Sequence, residues 1–492
     1  MKIIKIHPGD QVAVALSPLK KGENVKVGDV SVTCLEDIPQ GHKVALCDIP
    51  EGGNVHKYGF PIGHATVNIA RGAWVHTHNV KTNLSGELEY VYHPVQYPMP
   101  EVQEATFEGF LRPDGSVGVR NELWIIPTVG CVNSVAEKLV RDNQHLVGEN
   151  VEGLYTFTHP YGCSQMGEDH ENTRKLLAAL SRHPNAGGVL VLSLGCENLT
   201  MQQFQAELGA WDDCRVKFLC CQDVEDEYEE GAKLLAQLAA YANAFRRETL
   251  PASKLVIGMK CGGSDGLSGI TANPAVGAFS DRLIAMGGST ILTEVPEMFG
   301  AETLLMDRAV NDNVFRKTVD MVNGFKQYYV SHNQVVYENP SPGNKAGGIT
   351  TLEDKSLGCV QKGGSAPACD VIGYGERVTV PGLNLLTGPG NDLVSATALT
   401  AAGAHLILFT TGRGTPFGAP APTVKIATNT RLYEYKKGWM DFNAGTVAEG
   451  ESIPDAGKRL LDAVLAYASG KKTVGEINNC RGIAIFKDGV TL

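Results

Sequence analysis

Short apolar runs separated by turns fill the first hundred residues and predict a compact β unit. Related turns recur at residues 38–41, 49–52 and 69–72. Each has glycine directly after a strand-like run, as tight turns between strands require. The proline-rich residues 93–104 then break the pattern and predict a linker. We therefore predict a first domain over residues 1–98.

From about residue 105 the pattern changes to apolar runs that alternate with amphipathic stretches. The clearest runs are LWIIPTV, GLYTFTH, GVLVLSL and KLVIGMK, with later candidates in STILTEV, VTVPGLNLL and AHLILFTT. Strand–loop–helix units at this spacing predict right-handed crossovers and parallel sheets. The fold class is therefore α/β, with two such regions over residues 105–248 and 249–492. Residues 331–364, rich in Gly, Asn and Pro, predict a long functional loop.

Charge narrows the class of partner. The 492 residues include 43 Lys and Arg against 54 Asp and Glu, a formal net charge of −11. A nucleic-acid binder needs a basic face, so nucleic acid is excluded as a partner. The chain has no apolar run of transmembrane length and no signal-like N-terminus, which predicts a cytoplasmic protein without a membrane partner. Binding an anionic metabolite would require local positive charge from Arg, Lys or a metal.

Four of the twelve cysteines directly follow predicted strands: Cys131, Cys163, Cys196 and Cys261. Ligands bind at this edge of open parallel sheets, and nearby helix N-termini favour thiolates. Such thiolates can hold a soft metal or an iron–sulfur cluster. The alternative is that these cysteines only pack against strand ends. The adjacent Cys220 and Cys221 show no such placement and are expected to fill space.

Histidines complete the predicted metal site. His76 and His78 form an H-x-H pair, and on a strand both imidazoles would face the same side. The candidate metal ligands are therefore His76, His78, Cys163, Cys196 and Cys261. Imidazole and water suit Fe(II), whereas thiolates favour zinc or a cluster, and the sequence leaves this choice open.

Several glycine-rich loops favour an anionic, polyhydroxylated ligand, because exposed backbone N–H groups in such turns form anion-binding nests. The candidate substrate-binding residues in these segments are Ser264, Asp265, Lys345, Asn391 and Arg413. Arg413 could clamp a carboxylate with two hydrogen bonds. No loop has the pattern of an ATP or nicotinamide site. The alternative is that the glycines only make turns.

Seven runs carry a resemblance to a known family: GSVGVRNELWIIPTVGCVN, HPYGCSQMGEDHENT, VLSLGCEN, KCGGSDGLSGITANP, LTEVPEMFGAE, ENPSPGNKAGGITTLEDKSLGC and FTTGRGTPFG. Over essentially the whole chain the sequence resembles the altronate/galactarate dehydratase family, and its altronate-specific members most. The resemblance implies a small N-terminal SAF-type β-clip domain, followed by the two α/β regions of the dehydratase.

The resemblance also implies an activity. The expected reaction is a hydro-lyase step in galacturonate breakdown that dehydrates D-altronate to 2-dehydro-3-deoxy-D-gluconate. It implies Fe(II) as activator with Mn(II) as a substitute, while an iron–sulfur cluster stays open as an alternative. The expected partner is a small sugar acid, and a homo-oligomer is compatible with the sequence. The alternatives are a galactarate dehydratase, a sulfolactate lyase and a carbohydrate-binding protein without activity.

Dehydration of a sugar acid needs a base for the C2 proton and an acid for the departing C3 hydroxyl. A divalent metal would stabilise the doubly charged intermediate. The candidate bases are His76, His159 and Lys260, in that order, and Lys260 would need a lowered pKa. Glu197 and Asp265, each just beyond a strand-end cysteine, are candidate acids or metal ligands.

Overall fold

The computed structural model describes residues 2–84, 88–337 and 339–489. Glu338, which opens one of the family-like runs, and residues 490–492 lie outside the described part. Within the described ranges, no helix is long and apolar enough to span a bilayer.

The N-terminal unit (strands β1–β9) is built from short antiparallel strands. Their bounds are β1 (Ile3–Ile4), β2 (Val12–Ala15), β3 (Asn24–Val27), β4 (Val30–Thr33), β5 (Lys43–Ala45), β6 (Asn54–Lys57), β7 (Phe60–Ala65), β8 (Trp74–Val75) and β9 (Val80–Lys81). They form a four-stranded sheet β1-β2-β5-β8, the pair β3-β4 and the sheet β6-β7-β9. Gly41, Gly52 and Gly72 have φ of 82°, 77° and 91°, so the repeated glycine turns are confirmed.

The middle unit (β10–β16 and α1–α4) holds a four-stranded, all-parallel sheet. Its strands are β10 (Thr106–Leu111), β11 (Val117–Gly118), β12 (Glu122–Pro127), β13 (Gly153–Thr156), β14 (Ala186–Ser193), β15 (Val216–Cys220) and β16 (Glu248–Pro251). Its helices are α1 (Asn133–Asp142), α2 (Gly167–Ser181), α3 (Met201–Leu208) and α4 (Glu227–Ala242). The parallel order is β13-β12-β14-β15. Every residue of β12 and β14 is buried, as helices on both faces of a parallel sheet require.

The C-terminal unit (β17–β23 and α5–α13) contains a seven-stranded parallel sheet in the order β19-β20-β18-β17-β21-β22-β23. Its strands are β17 (Val256–Cys261), β18 (Ser289–Leu292), β19 (Ala368–Ile372), β20 (Gly382–Leu386), β21 (Leu406–Thr411), β22 (Thr423–Ala427) and β23 (Phe442–Asn443). Its helices are α5 (Ala272–Ala285), α6 (Thr303–Met306), α7 (Asp312–Ser331), α8 (Pro342–Ala346), α9 (Leu352–Cys359), α10 (Asp392–Ala401), α11 (Thr430–Tyr435), α12 (Ile453–Ala468) and α13 (Val474–Ile477).

The predicted α/β class with largely parallel sheets is confirmed, but the sequence pattern missed some elements. Strands β15, β19, β22 and β23 were not predicted. The segment 331–364 is not one long loop, because it contains α8 and α9. Helix α9 is buried at every position although half of its residues are polar, so it gives no amphipathic signal.

The units are tied together by buried contacts. The last described residues return to the middle unit, where Ile485 joins the core between the sheet and α2. Arg481 donates from Nη1 and Nη2 to the Glu122 carboxylate at 2.8 and 2.9 Å. The residues between the N-terminal and middle units run along the C-terminal unit, where the Val95 amide donates to Asp307 O at 2.8 Å. The N-terminal unit, α8 and α9 cover the carboxyl edge of the seven-stranded sheet.

Candidate active site

Lys260, at the carboxyl end of β17, is fully buried among acidic partners. Its Nζ lies 2.8 Å from both Glu294 Oε1 and Asp392 Oδ1 and donates to Ser395 Oγ at 2.9 Å. Burial alone would lower the pKa of Lys260, but the two carboxylates outweigh it and raise that pKa. The lowered pKa that Lys260 would need to act as a base is therefore not found. Lys260 holds the strand-end loops together as an ammonium group and does not serve as a free base.

Glu294 occupies a backbone conformation that side chains rarely adopt, with φ of 69°. Such strain costs on the order of 1–3 kcal/mol and persists only where surrounding bonds enforce it. Here Oε1 accepts from Lys260, and Oε2 accepts from the Cys261 amide at 2.8 Å. The strained turn places Glu297 against the end of β17.

Three buried side chains meet at this point: Cys261, Glu297 and Cys359. Glu297 Oε2 lies 3.0 Å from Cys261 Sγ and 3.2 Å from Cys359 Sγ, and the two sulfurs are 3.4 Å apart. Among the described residues, this is the one set of three His, Cys, Asp or Glu side chains whose ligand atoms all lie within 4.8 Å of one another. It is therefore the site to test for a single metal ion.

Two lysine ammonium groups contact this trio. Lys355 Nζ lies 2.6 Å from Glu297 Oε1, and Lys362 Nζ lies 3.1 Å from Cys261 Sγ. Burial works to raise the pKa of Glu297, but the two ammonium groups hold it below its usual range. Hydrogen bonding to Cys359 and burial raise the pKa of Cys261, contrary to the expected thiolate. A hard divalent cation, which prefers oxygen and imidazole ligands, does not fit two sulfur ligands beside two fixed positive charges.

A second buried charge cluster joins the N-terminal unit to α9. Lys43 Nζ and Lys57 Nζ lie 2.8 and 2.9 Å from the two oxygens of Asp354, and Lys43 also donates to Gly348 O at 2.7 Å. All three side chains are almost completely buried. Burial would raise the pKa of Asp354, but the two ammonium groups outweigh it and hold it well below its usual range. This triad fixes the N-terminal unit against the sheet edge.

His76 and His78 lie in the turn between β8 and β9, not on a strand. His76 is buried and His78 is exposed, so the prediction that both face the same side of a strand is wrong. His76 Nδ1 lies 3.3 Å from Thr350 Oγ1, and its ring stacks on Trp74 with centroids 5.6 Å apart. Burial and the nearby Lys43 lower the pKa of His76 to about 3. A neutral imidazole with so low a pKa is a weak proton acceptor.

An open cavity of about 310 Å³, with both polar and apolar walls, lies where the glycine-rich loops meet the N-terminal unit. Its walls are Gln40, Gly41, Asp265, Leu267, Gly347, Gly412, Arg413, Asn429, Arg431, Leu432 and Tyr435. The volume is within the range of small-molecule sites. A neighbouring space of about 10 Å³, enough for one water molecule, is lined by Ser264, Asp265 and Lys355 among others. The structure thus brings Asp265 and Arg413 together at one cavity.

Gly41 is essential to this junction. It has φ of 82°, and an added Cβ would lie 2.8 Å from Gly347 O. The Gly266 amide donates to that same Gly347 carbonyl at 2.8 Å. No larger residue at position 41 could allow the N-terminal unit to approach the loops so closely.

Asp265 is the only carboxylate in the described wall of the cavity. It accepts hydrogen bonds from the Leu267 amide at 3.1 Å and from Ser268 Oγ and Thr428 Oγ1 at 3.0 Å each. Burial raises the pKa of Asp265. Arg413 is exposed and donates to Gly343 O at 3.2 Å, which leaves most of its guanidinium free to face the cavity.

The other predicted substrate residues divide into two groups. Ser264 is buried beside the cavity, and its carbonyl accepts from Asn344 Nδ2 at 2.9 Å. Lys345 is half-buried in α8, next to the loop that lines the cavity. Asn391 is instead the N-cap of α10, where Oδ1 accepts from the amides of residues 393 and 394. The side-chain oxygen of Asn391 is therefore already used in capping the helix.

His159 and Glu197 lie in the middle unit and are bound into its loops. His159 Nε2 pairs with Pro127 O at 2.8 Å, and Nδ1 accepts from the Tyr161 amide at 3.2 Å. Glu197 accepts from Thr128 Oγ1 at 2.7 Å and from the Gly195 amide at 2.7 Å. Both are buried and bond to loops of the middle unit, and neither lines the cavity described above.

The predicted metal ligands do not form one site. His76 and His78 belong to the N-terminal unit, Cys261 to the buried trio, and Cys163 and Cys196 to exposed loops of the middle unit. The strand-end positions of the four cysteines are confirmed.

The prediction that the adjacent Cys220 and Cys221 do not lie at a strand end is wrong. Cys220 is the last residue of β15 and Cys221 follows it, at the same edge of the middle sheet. The strand β15 had not been predicted, so their position at a strand end could not be seen.

Sequence reasoning missed the acidic and basic groups around the trio. Glu294 and Glu297 follow directly after β18, a position that the strand-end argument could have singled out. Lys355, Cys359 and Lys362 are spaced i, i+4 and i+7, the signal of one helix face, but their segment had been predicted as loop.

Three family models match successive parts of the chain. The Altronate/galactarate dehydratase SAF domain matches residues 1–83, the D-galactarate dehydratase/Altronate hydrolase second domain matches 109–243, and the D-galactarate/Altronate dehydratase C-terminal model matches 252–491.

Curated relatives match over nearly the whole length. Altronate dehydratase of Escherichia coli (strain K12) is 53% identical over 497 residues, covering 100% of both chains. Altronate dehydratase of Bacillus subtilis (strain 168) is 54% identical over 493 residues, covering 99% of both. Galactarate dehydratase (L-threo-forming) of Escherichia coli (strain K12) is 38% identical and covers 95% of this chain and 93% of its own. The chain belongs to the altronate/galactarate dehydratase family.

Proposed function

We propose that this protein is a hydro-lyase that converts D-altronate to 2-dehydro-3-deoxy-D-gluconate and water. The observation that carries the proposal is the identity of 53–54% to two altronate dehydratases over essentially full length. The galactarate relative is more distant, at 38%. These values favour altronate over galactarate as substrate.

The cavity between the N-terminal unit and the glycine-rich loops supports this function. A sugar acid carries one carboxylate and several hydroxyls, and the cavity offers two guanidinium groups, Arg413 and Arg431, beside amide groups of Gln40 and Asn429. Arg413 can pair with the carboxylate through two parallel hydrogen bonds. This local positive charge answers the question of how a chain of net charge −11 binds an anion.

Asp265 is the proposed acceptor of the C2 proton. It is the one carboxylate in the described wall of the cavity that Arg413 also lines, and an added Cβ on Gly412, next to Arg413, would lie 2.3 Å from Asp265 Cγ. Burial raises its pKa toward the working range of a general base. Asp265 then returns this proton to the departing C3 hydroxyl, which leaves as water, and the resulting enol tautomerises to the 2-keto acid.

Dependence on Fe(II), with Mn(II) as a substitute, is proposed from the family relation. The Cys261–Glu297–Cys359 trio is a poor site for such an ion, so no step of the reaction is routed through it. Lys355 and Lys362 instead keep this buried region neutral behind the cavity.

The test is an anaerobic incubation of the purified protein with D-altronate, galactarate or sulfolactate, with Fe(II), with Mn(II) or with neither. We expect 2-keto acid from altronate at a kcat/KM at least about tenfold above galactarate, and no sulfite. Faster turnover of galactarate, or sulfite from sulfolactate, would replace the proposal with the corresponding alternative. Binding of altronate without any product would favour a non-enzymatic role.

A further inference from the structure

The carboxyl edge of the middle sheet carries three exposed cysteines that the proposed reaction does not use: Cys131, Cys163 and Cys196. They follow the strands β12, β13 and β14, and β12 lies between the other two. Neighbouring strands are about 4.8 Å apart, so the three loops emerge side by side.

Backbone and side-chain hydrogen bonds interlock these loops. The Gly130 amide, beside Cys131, donates to Tyr161 O at 2.8 Å, and the Leu199 amide donates to Gly162 O at 3.0 Å. Asn198 Oδ1 accepts from the Ser164 amide at 2.7 Å and from Cys163 Sγ at 3.5 Å. The loop of Cys163 is therefore bonded to the loops of both other cysteines.

Buried polar groups hold the three loops in shape. His159, Gln165 and Glu197 are 3–6% exposed, and each bonds to backbone groups of these loops. Gly162 admits no side chain, because an added Cβ would lie 1.9 Å from Thr128 O. These buried, hydrogen-bonded side chains fix the loops that carry the three exposed thiols, which indicates that the thiols are held in place to bind a ligand.

We propose that Cys131, Cys163 and Cys196 bind an iron–sulfur cluster. Thiolates are the usual protein ligands of such clusters. The three sulfurs do not all lie within 4.8 Å of one another, which is too wide for a single tetrahedral ion. In a cluster, each thiolate binds a different iron. Three thiolates leave one iron of a four-iron cluster open to an oxygen ligand.

The starts of three helices lie close to this edge of the sheet. Cys131 lies in the turn that leads into α1, and α2 and α3 begin shortly after Cys163 and Cys196. The positive ends of these helices stabilise negative charge nearby. Gln222 Nε2 also donates to Cys196 Sγ at 3.5 Å, the kind of hydrogen bond that tunes cluster sulfur ligands.

The proposal is tested by iron and sulfide content, independently of dehydratase activity. The full-length protein is incubated anaerobically with ferric iron, sulfide and dithiothreitol, whose thiols supply the electrons that a mixed-valence cluster needs. We expect about four irons and four acid-labile sulfides per chain, with broad absorption at visible wavelengths. Cys131→Ala, Cys163→Ala and Cys196→Ala should each lower both contents at least about tenfold.

Cys214→Ala is the matched control, because Cys214 is also an exposed thiol of the middle unit. It should retain full iron and sulfide. The three tested cysteines are exposed, so circular dichroism should show intact folds in all variants. Iron without sulfide, or contents unchanged by the three substitutions, would overturn the proposal. A cluster in protein that does not dehydrate altronate would overturn the proposed function and leave this site standing.

Discussion

Asp354→Asn should detach the N-terminal unit from the cavity. The substitution keeps the shape of the side chain but removes the charge that neutralises Lys43 and Lys57 at 2.8 and 2.9 Å. Both lysines are 0–2% exposed at the side chain, so water cannot replace the lost partner. Removing one partner of a buried ion pair costs about 3–5 kcal/mol. The same oxygens also accept from the Thr350 amide at 3.0 Å, which adds to the cost.

The assay is urea unfolding followed by circular dichroism and tryptophan fluorescence, with Trp74 reporting on the N-terminal unit. At an m-value of about 2 kcal/mol/M, the first transition should shift to lower urea by roughly 1.5–2.5 M. Asp37→Asn is the control, because its ion pair with Lys20 is exposed and screened by water, so the transition should hardly shift. A shift for Asp354→Asn no larger than the control would refute the view that this triad holds the two units together.

Three further predictions follow from other parts of the structure. Arg413→Ala should raise KM for altronate about 10–100-fold with a smaller change in kcat, while the exposed Arg246→Ala changes neither. Lys362→Met should lower the free energy of unfolding by about 3–5 kcal/mol, measured in urea, because Glu297 loses a buried counter-charge; an effect below about 1 kcal/mol would contradict this. Burial lowers the pKa of His405 to about 3, so the unfolded chain takes up a proton there before the folded one does. Stability should therefore fall by roughly 3–5 kcal/mol from pH 6.5 to 3 through this group, and His405→Gln should flatten that part of the pH profile. An unchanged profile would show that His405 is not buried in its neutral form.

The sequence pattern was sufficient for the fold class because the main parallel strands are continuous apolar runs. The glycine turns of the N-terminal unit were equally clear, since each needs a positive φ that glycine adopts without strain. The family-like runs fall on the loops at the sheet edges, where Asp265 and Arg413 indeed share a cavity.

The catalytic assignments were less predictable because they depend on contacts distant in sequence. Lys260 looked available as a base, but its partners Glu294 and Asp392 come from loops 34 and 132 residues away. Helix α9 gave no periodic pattern because its polar side chains are buried against partners distant in sequence. Glu353 and Asp354 bond to the N-terminal unit, whereas Lys355 bonds to Glu297. The prediction that His76 and His78 share one face of a strand failed because β8 ends at Val75, one residue before His76.

The most direct measurement is the rate at which 2-dehydro-3-deoxy-D-gluconate forms from D-altronate in wild-type protein, Asp265→Asn and Ser268→Ala. Ser268→Ala is the control, because it removes the two hydrogen bonds between Ser268 Oγ and Asp265 but keeps the carboxylate. The proposed mechanism predicts product from wild type, a loss of kcat of about 10²–10⁴-fold in Asp265→Asn with an unchanged circular dichroism spectrum, and most activity kept in Ser268→Ala. No product from the wild type, or equal rates in the wild type and Asp265→Asn, would contradict it.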